Sequence, residues 1–196
     1  MAKLDPRIYK TIRSIDQALL SLQREHPFKK ITIEMLCTRA MINRSTFYKY
    51  YADKFALLDD FLERTLTQFR STVRTDFVLA APSEVGGQAY TDLFRETLDH
   101  LYGCWETYEI LWSAQICRDI YKEMIAIIRD SILEKMDGRE EHRRYQFLYA
   151  TFFASNMMTL VRWWFQNEGQ VSRDEVVRIM QGNMERGMFS TFKRLI

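Results

Sequence analysis

The sequence predicts an all-α chain, a small N-terminal three-helix head followed by a larger helical-bundle body. Three observations carry this. Gly and Pro together make up only 10 of 196 residues, where an average chain carries about 12% of the two. Most of the ten (Pro6, Pro27, Pro82, Gly86, Gly87, Gly103, Gly138, Gly169) fall between segments whose apolar residues recur every three or four positions, and only Gly182 and Gly187 interrupt one. No alternating run competes as a strand. With 47% hydrophobic residues, the chain is long enough to bury a real core in one compact unit or a small one joined to a larger.

Reading between the breakers places helices at 6–24, 32–40, 44–51, 54–80, 89–102, 105–113, 115–136, 139–167 and 173–193. Ile8, Ile12, Ile15, Leu19 and Leu22 make one stripe on the first, with Asp5 as N-cap and Pro6 at the first helical position. Thr32 caps the second helix, whose Ile33, Leu36, Cys37 and Ala40 face inward, and Asn43 can cap the third. The fourth, at 54–80, carries Phe55, Leu58, Phe61, Thr65, Phe69 and Val73 along one side. Ser172 with Glu175 forms a capping box for the last. The segment 81–88 reads as the one linker.

Several classes are excluded or disfavoured. Cys37, Cys104 and Cys117 form no CxxC pair and no Cys/His cluster, so neither a disulfide framework nor a metal site is expected. A redox switch between Cys104 and Cys117 is weaker than their reading as small buried hydrophobes. The opening MAKLDPRIYK has no apolar signal region, which points to the cytoplasm. In Tyr145–Phe165, 15 of 21 residues are apolar, but Gln146, Asn156 and Arg162 would be costly at bilayer depth, so the segment reads as a buried helix and no membrane partner is expected. His26, His100 and His142 lie far apart, Glu140-Glu141 reads as a solvated helix start, and no nucleotide-loop or nucleophile-elbow string occurs. The expectation is a non-enzyme without cofactors.

Charge is divided unevenly. Residues 1–58 hold 11 Lys+Arg against 5 Asp+Glu, a balance of +6, which leaves −4 for 59–196. The net +2 thus hides a basic head on an acidic body, the balance that a grip on phosphates needs.

Within that head, residues 32–54 hold two short helices separated by Met41-Ile42, a helix-turn-helix arrangement whose second helix offers its leading residues to the major groove. With Phe47 and Tyr51 placed inward, Ser45 and Lys49 point outward, flanked by Thr46 and Tyr48, and Arg44 projects from the helix start. Arg44 has the fork for a guanine pair, and Thr46 can meet a base or a phosphate. Tyr48 is a rigid phosphate donor and Lys49 a mobile cation. Lys54 opens the next helix, where free N–H groups already favour an anion, and so reads as a phosphate clamp; Thr32 can act similarly, with Lys29 and Lys30 on the same edge.

Thr32, Ala40, Ile42, the run Arg44-Ser45-Thr46-Phe47-Tyr48, Tyr51, Lys54 and Leu57-Leu58 resemble the signature of the TetR/AcrR family of transcriptional regulators, over about residues 7–60. The resemblance implies that Tyr48 and Lys54 hold phosphates and that Arg44, Ser45, Thr46 and Tyr50 meet bases or backbone. It departs at Met41, where that family usually has glycine in the turn, a change costing on the order of 1 kcal/mol.

The body, 54–196, is then expected to bind an effector and dimerise, and the head, 1–53, to bind double-stranded DNA. The apolar helix at 145–165 needs two surfaces to bury against, and small Ala150 and Ala154 with Met180, Met184 and Met188 suggest a second copy as one of them. The stretch Leu160–Trp164, followed by Asn-Glu-Gly and a Ser-capped helix, is also similar to the C-terminal region of several such regulators. Tyr102, Trp105, Tyr108 and Trp112, at steps of 3, 3 and 4, could line a pocket for a flat or greasy small-molecule effector or simply be core. The expected function is a repressor that binds a palindromic operator as a homodimer. Two alternatives stay open: a regulator whose body binds a protein partner, and a helical binding protein or enzyme that does not use DNA.

Overall fold

The structure is a computed structural model describing residues 5–113, 116, 118–136, 140–167 and 169–187, with only the backbone for 82, 83 and 140–142. Among these residues there are helices and no strand. Two compact units emerge: Met1–Thr67 with Glu106–Ile120, and Gln68–Trp105 with Tyr121–Ile196. This division differs from the expected one at 53/54, because the start of the fourth helix and a later segment both pack with the head.

In the first unit, α1 (Pro6–Glu25) begins where the Asp5 carboxylate accepts the Arg7 N–H at 2.8 Å. Its buried stripe, Ile15, Ala18, Leu19 and Leu22, lies against α2 (Ile33–Ala40). Two side-chain ties hold the pair: Ser14 donates to the Ala40 carbonyl at 2.9 Å, and Arg39 forks onto Glu25 with two 2.9 Å bonds. A 3-10 turn at Phe28–Lys30 joins them. Next come α3 (Arg44–Tyr48) and the first part of α4 (Lys54–Thr72), whose Leu57 and Leu62 are fully buried. α7 (Trp105–Ser113) completes the unit, burying Tyr108, Ile110 and Leu111 and pairing Glu106 with Arg24 at 3.5 Å.

The second unit contains the end of α4, a 3-10 turn at Asp76–Leu79, α5 (Pro82–Val85), α6 (Gln88–Gly103), α8 (Ile120–Leu133, whose first residue falls in the first unit), α9 (Glu140–Gln166) and α10 (Arg173–Arg186). Its core gathers Phe94, Leu98 and Leu101 from α6, Met124 and Ile132 from α8, Ala150, Ala154 and Met158 from α9, and Val176 and Val177 from α10. α10 packs on α5, α6 and α9, and its Gln181 amide reaches the Val85 carbonyl and the Thr91 hydroxyl at 3.2 and 2.9 Å. The capping box forms as the sequence predicts: Ser172 accepts the Glu175 N–H at 3.3 Å, and Glu175 accepts the Ser172 N–H at 2.8 Å.

Three expectations need correction. The helix drawn through residue 80 stops at Thr72, where Ser71 and Thr72 turn their hydroxyls back onto the carbonyls of Gln68 and Phe69 at 2.7 Å, a competing bond that weakens the helix. Thr75 then spends its hydroxyl on the Ser131 carbonyl of α8 at 3.2 Å, which fixes the chain off the helical path. The linker at 81–88 is folded, with α5 inside it and Val85 buried. The third helix ends at Tyr48 rather than 51, followed by a turn at Lys49 and Tyr50. Cys117, Gly138 and Met188 lie outside the described residues, as do the side chains of Glu141 and His142.

Candidate nucleic-acid interface

The turn before α3 sets the geometry. Met41 takes the left-handed conformation, φ 55° and ψ 44°, and α2 closes with two bonds, Met41 N–H to the Thr38 carbonyl (3.2 Å) and Ile42 N–H to the Cys37 carbonyl (3.0 Å). This is a Schellman closure built without glycine. Its side chain is 92% exposed, so packing gives nothing back for the strained backbone. Asn43 stands at the N-cap of α3 with extended backbone, but its side chain makes no capping bond; its carbonyl accepts the Thr46 and Phe47 N–H groups at 2.9 and 3.1 Å.

From there α3 shows two faces. Phe47 is fully buried and Tyr51 nearly so, their rings 5.8 Å apart. Arg44, Ser45, Tyr48 and Lys49 are exposed, with Thr46 and Tyr50 half-buried. Tyr48 stands edge-on to Phe47 at 5.7 Å, so its ring is braced while more than half its surface meets solvent. Arg44 pairs with Glu34 of α2 at 2.8 Å, both exposed, an ion pair worth at most about 1 kcal/mol and easily exchanged for another acceptor.

Behind this face, a network locks the recognition segment to α1 and α4. The Tyr51 hydroxyl donates to Asp60 at 2.9 Å, Arg64 reaches the same carboxylate at 3.0 Å, and Arg64 forks onto Asp16 with two 2.9 Å bonds. The Asp16 hydrogen bonds hold the Arg64 guanidinium protonated well above its ordinary range, and burial followed by the Asp60 bond pushes the Tyr51 phenol up.

The start of α2 and the turn before it carry Thr32, Lys29 and Lys30, all exposed. Thr32 caps α2 by accepting the Met35 N–H at 3.2 Å. The first turn of α4 is already closed by a carboxylate: Asp53 accepts the Phe55 and Ala56 N–H groups at 2.8 Å. The Lys54 ammonium points into the protein, toward the carbonyls of Phe28, Lys29 and Ile31 at 3.1, 3.0 and 2.7 Å.

The second unit contributes two further features. A cavity of about 390 Å³ is lined by Phe77, Ile132, Met136, Phe153, Met157 and Met184 among others, with Asn156 and Asn183 its polar groups. A narrower void of about 70 Å³ shares Phe77, Phe153 and Met157 with it and extends toward Phe94, Leu98 and Met180. Along α9, Tyr145, Leu148, Tyr149, Phe152 and Trp163 fall on one side and remain exposed, Tyr149 by 68% and Phe152 by 62%.

No family model matches the chain. Over 49 residues it is 33% identical to an uncharacterized HTH-type transcriptional regulator, YxbF of Bacillus subtilis (strain 168), a match covering 25% of this chain and 13% of that protein's length. A TetR transcriptional regulator from Streptococcus agalactiae 2603V superposes with a TM-score of 0.57 at 19% identity, over 92% of this chain and 96% of that one. The chain has the TetR regulator fold. The fatty acid degradation regulator FadR from Bacillus halodurans shares it, with a TM-score of 0.61 at 13% identity over 95% and 98% of the two chains. No helix among the described residues is long and apolar enough to cross a membrane.

Within this TetR fold, α2, the turn and α3 bring together Arg44, Ser45, Thr46, Tyr48 and Lys49, while Tyr50 sits in the turn after α3. The expected pocket and interface residues are not brought together in one place. α6 ends at Gly103 and α7 starts anew at Trp105, so Tyr102 is on a different helix from the other three; the boundary between the units falls just after Trp105, which leaves Tyr102 and Trp105 in the second unit and Tyr108 and Trp112 in the first. Tyr102 lies against Trp164 (5.6 Å), and both line a polar pocket of about 570 Å³ with Asp99 and Arg173; Trp105 lies against Phe165 (5.5 Å) and Tyr108 stacks on Trp112 (5.8 Å), and none of the four lines either apolar cavity. Ala150, Ala154 and Met180 are buried inside their own protomer, and half-buried Met184 lines the larger apolar cavity. The exposed rings of α9 were missed, although their spacing was legible as one side of the helix.

Proposed function

We propose that the chain is a DNA-binding transcriptional repressor that meets a palindromic operator as a homodimer and is released by an apolar effector. The observation that carries this is the outer face of α3, where a short helix on a fully packed Phe47 presents Arg44, Ser45, Thr46, Tyr48 and Lys49 to solvent. Arg44 and Thr46 read base edges, Arg44 exchanging Glu34 for a guanine; Thr32, Tyr48 and Lys49 position the phosphate backbone, with Ser45 and Tyr50 beside them. Half-sites then lie one helical turn, ~34 to 36 Å, or a multiple apart.

The exposed side chains of α9 support the homodimer, since clustered apolar groups such as Tyr145, Leu148, Tyr149 and Phe152 on a surface mark an interaction site. A second copy about a two-fold axis covers them with the same groups. The larger of the two apolar cavities falls within the volume range of ligand sites, and its Phe and Met lining suits an acyl chain, the first class to test given that one solved relative is a fatty acid degradation regulator. Tyr149 and Phe152 belong to both the cavity wall and this cluster, so an effector there acts on the pairing of the copies. The cavity favours a small molecule over a protein as the effector.

The test is fluorescence anisotropy with the promoter region upstream of the chain's own gene. Tight binding that weakens steeply with salt, and is relieved by fatty acids or their thioesters, is the expected result. A chain that binds that region no better than random duplex at every salt would end the repressor reading.

A further inference from the structure

We propose that Lys54 is a positioning residue that builds the DNA-facing edge without itself holding a phosphate, an inference that rests on the DNA-binding reading above. An ammonium has three protons and no acceptor. At Lys54 three carbonyls stand within 2.7 to 3.1 Å, those of Phe28, Lys29 and Ile31, so each proton has a backbone oxygen of its own. The cation also lies 5.0 Å from the Phe28 ring centre and 5.5 Å from that of Phe55, and the two rings meet edge-on at 5.5 Å. A phosphate would have to displace charge-assisted bonds that already satisfy the group.

What these bonds hold is the segment that carries the outward cations. The 3-10 turn Phe28–Lys30 closes with the Ile31 N–H on the Phe28 carbonyl at 3.1 Å and has no helix to continue into; from the start of α4, Lys54 shares that carbonyl and takes those of Lys29 and Ile31. Phe28 and Ile31 are buried on the inner side of that turn, while Lys29, Lys30 and Thr32 are exposed on the outer side. Lys54 thus fixes the chain that presents two lysines and the capping threonine of α2. The anion slot at the head of α4 is filled as well, by Asp53.

Two readouts on the full chain separate positioning from phosphate binding, with Lys54→Met keeping the stem between the rings and removing all three donors. Native-state trypsin cleavage after Lys29 and Lys30, followed by mass spectrometry, reports the turn; it should accelerate several-fold. Affinity for a short random-sequence duplex over a salt series reports phosphate neutralisation. It should weaken several-fold at every salt with the log–log slope unchanged, whereas Lys30→Ala lowers the slope by about one unit. Lys54→Arg, whose planar fork cannot converge on three carbonyls, should move both readouts the same way by less, and circular dichroism checks that each variant folds.

A slope that falls by about a unit in Lys54→Met overturns the proposal, whatever the cleavage does. So does an unchanged cleavage rate, or faster cleavage with wild-type affinity. If the wild-type chain binds no duplex, the DNA reading fails by itself, and the cleavage arm still decides whether Lys54 holds the turn.

Discussion

The two units of the chain are finished to different degrees. In the first, side chains close several helix ends: Asp5 opens α1, Thr32 opens α2, Ser14 caps the Ala40 carbonyl, Asp53 opens α4, and Lys54 collects three carbonyls of the turn before α2. Its outward face at α3 is polar and basic. The second unit keeps a cavity of about 390 Å³ and leaves six large apolar side chains of α9 exposed, five of them on one side. A domain meant to stand alone rarely does either. The contrast teaches that the first unit closes its apolar surfaces on itself, whereas the second keeps the open cavity and the exposed rings on which the proposed effector and second copy rest.

The sharpest way to break the comparison is to damage the finished unit. Phe47→Ala removes a fully buried ring from beneath the recognition face, a change that costs about 3 to 5 kcal/mol in other cores. Calorimetry should show the first unit melting ahead of the second, with duplex binding lost at temperatures where most helical signal persists. A single cooperative transition, lowered as a whole, would show that the units do not differ in independence.

Next in size is a change to the unfinished unit. Phe152→Glu puts a charge into the exposed apolar cluster of α9, and buried aromatic anchors at interfaces commonly carry about 2 kcal/mol or more. Sedimentation should find the variant as a monomer with wild-type helicity, because 62% of that side chain already meets solvent in the single protomer. A variant that sediments like the wild type removes α9 from the interface and leaves its rings unexplained.

How much of this was legible in the sequence follows the range of each contact along the chain and crosses both units. The caps Asp5, Thr32 and the Ser172–Glu175 box are local, each within three residues, and the sequence shows them directly. So is the α3 face, because one inward residue, Phe47, fixes the rotation of all the others. The end of α4 was hidden, since Phe61, Thr65, Phe69 and Val73 keep their period past Thr72, and the bond that holds the chain off the helical path runs from Thr75 to Ser131, fifty-six positions on. α9 was ambiguous because it is apolar on both sides: small Ala150 and Ala154 looked like the seam with a partner, yet they are small because helices of the same protomer close over them. Lys54 looked like a free cation at a helix start until the fold brought three carbonyls from the preceding turn beneath it.

The smallest expected effect concerns the one place where the finished unit carries strain. Met41 is the only non-glycine residue with positive φ among those described, and an L-residue in that region pays roughly 1 to 2 kcal/mol that glycine avoids. Glycine gives part of this back by loosening the unfolded chain, so Met41→Gly should raise stability by about 0.5 to 1 kcal/mol. Met41→Ala is the control that isolates the backbone: it deletes the same exposed side chain and keeps the strain, and should leave stability within about 0.5 kcal/mol of wild type. Chemical denaturation of both variants decides the matter. If they shift together, side-chain removal rather than relief of the turn is responsible, and the Schellman closure holds Met41 at no measurable cost.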